Sequence, residues 1–106
     1  MASPDVVFAA LANAHRRRLL DLLLEEPQPV NALATHFDMS RPSVSEHLRV
    51  LRDADLVREE RQGRERVHRV NPLGLRPATE WLEPYEVFWG DALRGLRSHL
   101  DGEENR

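Results

Sequence analysis

The stretch from Asp38 to Leu51 carries the residues most able to do chemistry. It reads as a turn, Asp38-Met39, leading into a helix capped by Ser40. At about 100° per residue, Val44, Leu48 and Leu51 fall in one narrow arc and form a buried stripe. Pro42, Ser45, Glu46 and Arg49 cluster on the opposite face, roughly 100–200° from Val44. Small polar residues and a guanidinium on that face let the helix enter the major groove of duplex DNA, because nothing bulky holds the backbone away from base edges. Arg41 and Ser43 sit in the first turn, where such helices meet bases or phosphates. The candidate DNA-contacting set on this helix is therefore Ser40, Arg41, Pro42, Ser43, Ser45, Glu46 and Arg49. Arg49 suits a bidentate guanine contact, worth about 1–3 kcal/mol of discrimination. Glu46 either accepts from cytosine N4 or repels wrong sites.

Residues 57–61 and 65–70 flank Gln62-Gly63-Arg64 and predict a β-hairpin, with Gly63 supplying the positive φ its turn needs. Arg61, Arg64 and Arg66 at its tip suit phosphate or a minor-groove edge. The competing reading is a solvated tip that Glu60 and Glu65 partly neutralise. Ser43 and His47 have the types and i, i+4 spacing of a nucleophile and base, but nothing orients the imidazole or stabilises an oxyanion. His47 lies about 60° from Val44, which makes it a helix-packing residue. With no Gly-rich phosphate loop either, the chain is not read as an enzyme. His99 and Glu103 could join Asp91, or Asp5 of a second copy, in an oxygen/nitrogen metal site. A histidine near a helix C-terminus needs no such role.

These residues need a scaffold, and the rest of the chain supplies one. Ser3-Pro4 starts a helix carrying Val7, Ala10, Leu11 and Ala14 at helical spacing. Ala12 to His15 marks a kink or boundary, and a second helix with Leu19, Leu20 and Leu22 to Leu24 ends ahead of Pro27. On that helix Arg17 and Asp21 are placed to pair at i, i+4. Gln28-Pro29-Val30 reads as a loop, Asn31 to Phe37 as a two-turn helix, and residues 71–77 as a connector. A last helix runs from about Ala78 to Leu100. It concentrates four of the chain's six aromatics between Trp81 and Trp89. That is more apolar surface than one small chain covers easily, so it predicts a dimer interface. The expected interface is Val7, Phe8, Leu11, Trp81, Tyr85, Phe88, Trp89, Leu93 and Leu96.

The 106 residues make one domain, and 41% apolar with 31% charged content suits a folded, soluble chain. The net charge of -3 conceals an uneven distribution: residues 40–70 hold eight arginines against six acids, while acids dominate on both sides. All fifteen cations are arginine, a usage that a GC-rich coding bias also produces. Zero cysteines exclude disulfides and thiolate metal sites. No apolar run is long enough to span a membrane, and Asp5 before Val6 with Arg16 to Arg18 after it reverses a secretory signal's charge order, so a cytoplasmic location is expected.

The order of elements, with residues 11–20 (LANAHRRRLL) and 43–57 (SVSEHLRVLRDADLV), resembles the ArsR/SmtB family of bacterial winged helix-turn-helix repressors. The resemblance is close over residues 6–70 and holds in character over the final helix. It implies a fold that is mainly α with a small β-hairpin, in the order α-α-α-α-β-β-α, dimerising through its first and last helices. Residues 28–70 would be the DNA-binding core, with residues 1–14 and 77–100 dimerising. It implies a homodimer that represses transcription by occupying a pseudo-palindromic operator on double-stranded DNA. The family's metal sensors carry a Cys-Val-Cys pattern whose cysteines would fall at Pro29 and Asn31, and a final-helix ligand set that would need Leu93 as a ligand. The chain therefore resembles the branch without metal, whose final helix carries a similar Trp-Leu, Tyr and Phe-Trp signature. No cofactor or metal is expected, and no pattern specifies a small-molecule effector. A ligand- or metal-responsive sensor and a winged-helix protein-interaction module are the alternatives.

Overall fold

Side chains placed at the helix starts satisfy amides that the helices themselves leave unpaired. In a computed structural model, which describes residues 2–104 and the side chains of residues 2–92, helix α1 (Pro4–Leu11) begins at Ser3, whose Oγ accepts from the Val6 amide at 3.3 Å. Asn13 caps α2 (Ala14–Glu25) by accepting from the Arg16 amide at 3.2 Å, so the break expected within residues 12–15 is a true helix boundary. Ser40 caps α4 (Arg41–Asp53), accepting from the Ser43 amide at 3.3 Å.

Two expectations between α2 and α4 need correction. Gln28–Pro29 is not a loop but a short edge strand, β1. Two residues are too few to show a period, and proline is tolerated at a sheet edge because it need not donate there. The next helix, α3 (Val30–Ala34), is shorter than the 31–37 span expected, and turns replace its second half. Leu33 still points inward and is fully buried.

The wing consists of β2 (Val57–Gln62) and β3 (Glu65–Val70), antiparallel and in register from Val57–Val70 to Gln62–Glu65. Gly63 holds φ at +64° in the two-residue turn. β1 pairs with the other side of β3, giving the sheet order β1-β3-β2. A 3-10 turn (Pro72–Leu75) then leads into the long helix α5 (Arg76–Glu104), which continues through Pro84 despite the backbone bond proline forfeits. The fold is thus the expected helical frame with a hairpin, plus one extra edge strand. Among the described residues no helix is long and apolar enough to cross a membrane.

One core ties these elements together. Val44, Leu48 and Leu51 of α4 are all 0% exposed and pack with Leu19, Leu22 and Leu23 of α2, Leu33 of α3, and Leu56 and Val57 at the wing's base. Burying each leucine contributes about 1.5–3 kcal/mol. Val7 belongs to this core too, also at 0% exposure. Its expected place at a dimer surface is therefore wrong, because a side chain already covered by its own chain gains nothing from a second copy. Neighbouring positions on a short helix were separated by rotation alone, and Val7 lies on the inward side.

The corner after α4 fixes the wing's direction. Leu56 donates its amide to the Leu51 carbonyl and Asp55 to that of Arg52, both at 2.9 Å. Asp55 takes the left-handed conformation (φ 62°) where glycine is usual. Buried Asn71 donates from Nδ2 to the Asp55 carbonyl at 2.8 Å, and its amide donates to that of Leu56. Gly74 presses on the same carbonyl so closely that a Cβ there would lie 2.0 Å from the Asp55 oxygen. Gly74→Ala should therefore cost about 1–3 kcal/mol by forcing backbone apart. A lower urea midpoint at unchanged slope checks this, and an unchanged midpoint contradicts it.

Candidate nucleic-acid interface

With its apolar stripe buried, α4 has one rotation available and presents its polar face outward. Ser40, Arg41, Pro42, Ser43, Ser45, Glu46 and Arg49 are all exposed there. Several are already engaged. The Ser40 and Ser43 hydroxyls lie 2.9 Å apart and serve the helix cap. Arg49 donates from Nε to Glu46 at 3.0 Å and from Nη1 to Asp53 at 2.6 Å, along the helix surface. This bonding holds Glu46 below the usual carboxylate range and raises Arg49 above its ordinary value. Glu46 is thus charged and neutralised locally. Ser43 is turned to Ser40 and His47 to Arg16, so the Ser43–His47 spacing makes no catalytic pair.

The wing is joined to α4 through Glu59, Arg52 and His68, which the sequence did not single out, together with Arg66, which it did. Glu59 on β2, only partly exposed, accepts from Arg66 Nη1 on β3 at 2.8 Å and lies 3.5 Å from Arg52 on α4. Arg52 Nη1 is also 3.4 Å from Nε2 of His68, which is buried. Arg66 therefore helps anchor the wing as well as lining the groove. The bond from Arg66 does most to lower the Glu59 pKa, against the effect of partial burial, with Arg52 and His68 adding to the lowering. Long-range pairing of this kind has no signature in a local window. Its nearest sequence signal is the alternation of charges across a predicted hairpin, which suits cross-strand pairs.

Between α4 and the wing runs a groove of about 490 Å³ whose cationic lining is Arg41, Arg52, Arg64 and Arg66. Glu59 and Glu65 temper it. At the tip, Arg61 Nε donates to the Gly63 carbonyl at 3.3 Å, while Arg64 is exposed and pairs with no carboxylate among the described residues. The arrangement offers exposed guanidinium groups on two elements facing one concave surface, suited to a polyanion.

A second surface lies on α5 and α1. Trp81 stacks on Tyr85 with ring centroids 5.2 Å apart, and Phe8 meets Trp81 edge-on at 5.6 Å. Trp81, Tyr85, Phe88 and Trp89 stay about half or more open to solvent at 53%, 54%, 76% and 49%. Phe8 is half-buried beside Trp81, and Leu11 is half-buried in a separate groove with Leu20, Leu24 and Leu75. The side chains of Leu93, Leu96, His99 and Glu103 lie outside the described residues. Among the described residues no cluster of three histidine, cysteine or acidic side chains is placed to hold a metal. The expected Arg17–Asp21 pair does not form; Arg17 donates instead to the Leu11 carbonyl at 2.7 Å, at the end of α1.

Comparison with known proteins agrees with this geometry. The profile described as bacterial regulatory protein, arsR family, matches residues 13–59. The chain is 39% identical over 101 residues to the HTH-type transcriptional regulator Rv2034 of Mycobacterium tuberculosis, spanning 95% of this chain and 92% of that one. It is 33% identical over 76 residues to the transcriptional repressor SdpR of Bacillus subtilis, spanning 72% and 84%. In structure it is similar to the homodimeric winged helix-turn-helix DNA-binding domain of Mb0332 from Mycobacterium bovis, with a TM-score of 0.60, 27% identity, and coverage of 86% and 82%.

The wing joint makes stability depend on pH. Burial is the main reason the His68 pKa lies below its ordinary value, with Arg52 adding to the shift and Glu59 and the Gln28 backbone opposing it. The unfolded chain then takes up this proton first as pH falls. The stabilisation is complete above about 6.5 and drains below that until the folded ring is protonated too. The lowered Glu59 pKa acts in the same direction at lower pH. Thermal midpoints should therefore drop on mild acidification, and His68→Leu should shrink that drop. Equal pH dependence in the two proteins would contradict it.

Proposed function

The chain belongs to the arsR family of bacterial regulatory proteins and is a DNA-binding transcriptional regulator, and we propose that it works as a homodimeric repressor reading a pseudo-palindromic operator with the outer face of α4. The observation that carries this reading is the exposed polar face of α4, held against a buried stripe and flanked by an arginine-bearing wing. Residues 28–70 act as the DNA-binding core. Arg41 and Arg49 engage bases or phosphates, and Ser40, Pro42, Ser43 and Ser45 permit close approach. Arg49 is held by Glu46 and Asp53 in the free protein. It exchanges part of that pairing for a base edge on a matching site, whereas Glu46 repels phosphate on a mismatched one. Arg61, Arg64 and Arg66 of the wing meet the backbone beside it.

Residues 1–14 and 77–100 form the dimer contact through Phe8, Leu11, Trp81, Tyr85, Phe88 and Trp89, with Leu93 and Leu96 expected to join it from their spacing in the sequence. Four exposed aromatic side chains along one helix are the kind of surface a second copy would cover. Two-fold symmetry then sets the recognition helices about 34 Å apart, one turn of duplex. The protein acts by occupancy rather than catalysis, and does so in the cytoplasm, where the chromosome is.

Selection from a random duplex pool should return an inverted repeat, and a set without symmetry would argue against this reading. On the selected duplex, Arg64→Ala should lower the slope of log affinity against log salt by about 1, the signature of one lost phosphate contact. Arg49→Ala should cost about 1–3 kcal/mol in operator affinity with the dimer intact. Phe88→Glu should give a monomer by analytical ultracentrifugation; an unchanged dimer would remove α5 from the interface.

A further inference from the structure

A single guanidinium joins three helices beneath the reading face. Arg16, in the first turn of α2, donates from Nε to the Ala10 carbonyl at 2.6 Å and from Nη2 to the Ala9 carbonyl at 3.0 Å. It thereby closes the C-terminal end of α1, where carbonyls run short of helical donors and a cation is favoured. Its Nη1 lies 3.4 Å from Nδ1 of His47 in α4. A guanidinium has no acceptor. The contact is therefore a hydrogen bond only when Nδ1 offers a lone pair, with the ring neutral and its proton on Nε2.

The surroundings of His47 favour that state. Its ring is half-buried and 5.7 Å from the His15 ring, which meets Phe37 edge-on. The charged and titratable groups facing it are Arg16 and His15 from α2 and Glu46 from its own helix. Burial lowers its pKa most, Arg16 and His15 add to the lowering, and Glu46 opposes them. On the far side, α1 carries Phe8, packed against Trp81 of α5. Arg16 thus adds a polar link between the end of α1 and the recognition helix, beside the apolar core that the two share.

We propose that Arg16 and His47 are positioning residues for DNA binding, a strut that ties the end of α1 to α4 and so sets how the recognition helix is presented relative to the dimer surface. This rests on the reading of α4 as the DNA-contacting helix and of α1 as part of the dimer contact. Protonating His47 sets an N–H against an N–H and a cation against a cation, so the strut fails in acid and operator affinity falls with it.

The test uses the full chain and the tightest duplex recovered by selection. Arg16→Lys keeps the charge but cannot span two carbonyls and a ring. It should weaken binding about ten-fold or more, the net worth of one hydrogen bond from a charged donor, without changing the dimer or the salt slope. Wild-type affinity should fall by a similar factor from neutral to mildly acidic pH. His47→Asn keeps an acceptor close to the Nδ1 position and does not titrate. It should retain neutral-pH affinity and flatten the fall. Unchanged affinity in Arg16→Lys, or matching pH profiles for wild type and His47→Asn, overturns the proposal. Long-range proton–nitrogen correlation spectra of the free protein give a readout independent of DNA. They should show His47 neutral with its proton on Nε2 at neutral pH, and a ring protonated on Nδ1 removes the strut alone. A protein that binds no duplex removes the premise, and the proposal with it.

Discussion

Everything on the outer face of α4 depends on three side chains that never reach it. Val44, Leu48 and Leu51 are excluded from solvent, and any rotation of α4 about its axis would expose at least one of them. At about 1.5–3 kcal/mol per buried side chain, that loss is a large part of a small domain's net stability. The stripe therefore acts as an orientation lock. It decides that Ser45, Glu46 and Arg49 face outward together, and the Ser40 cap decides where the helix starts. The corner at Asp55, pinned by Asn71 and Gly74, then carries this orientation into the wing.

Charge is arranged as restraint more than as attraction. Arg49, Arg66 and Arg69 each have a carboxylate partner within 3.3 Å, so much of the cationic surface is neutralised before any ligand arrives. Arg49, Arg66 and Arg69 gain little from non-specific contact with phosphate, since each must first give up an ion pair, whereas Arg64 has no such pair to give up among the described residues. The paired arginines gain more where geometry lets a guanidinium keep good bonds on both sides. This fits a chain whose net charge is -3 and whose arginine excess lies within residues 40–70. Exposed pairs contribute little to folding. Their effect is on where and when the arginines are free.

Features of the sequence that act locally were legible. Ser3, Ser40 and Gly63 announce two caps and a turn because each meets a need of its immediate neighbours. The α4 stripe was legible because a helix maps spacing onto direction. What escaped was set by contacts distant in sequence. β1 exists because β3 offers an edge; Gln28 and Pro29 carry no strand pattern of their own. The Glu59 joint needs α4, β2 and β3 together. Val7 and Phe8 look alike in a list of apolar residues, yet one is core and the other flanks Trp81. The arginines of α2 suggested a surface ion pair, whereas Arg16 and Arg17 close the end of α1. Long flexible cations find acceptors that spacing alone does not reveal.

An outer face of α4 seated in the major groove would leave a direct chemical signature on the DNA. Methylation interference on the selected duplex tests this seating most directly, since guanine N7 lies in the major groove and adenine N3 in the minor groove. N7 methylation should interfere in two clusters on one face of the duplex, about one helical turn apart. Interference confined to adenine N3, or N7 clusters on opposite faces, would contradict it.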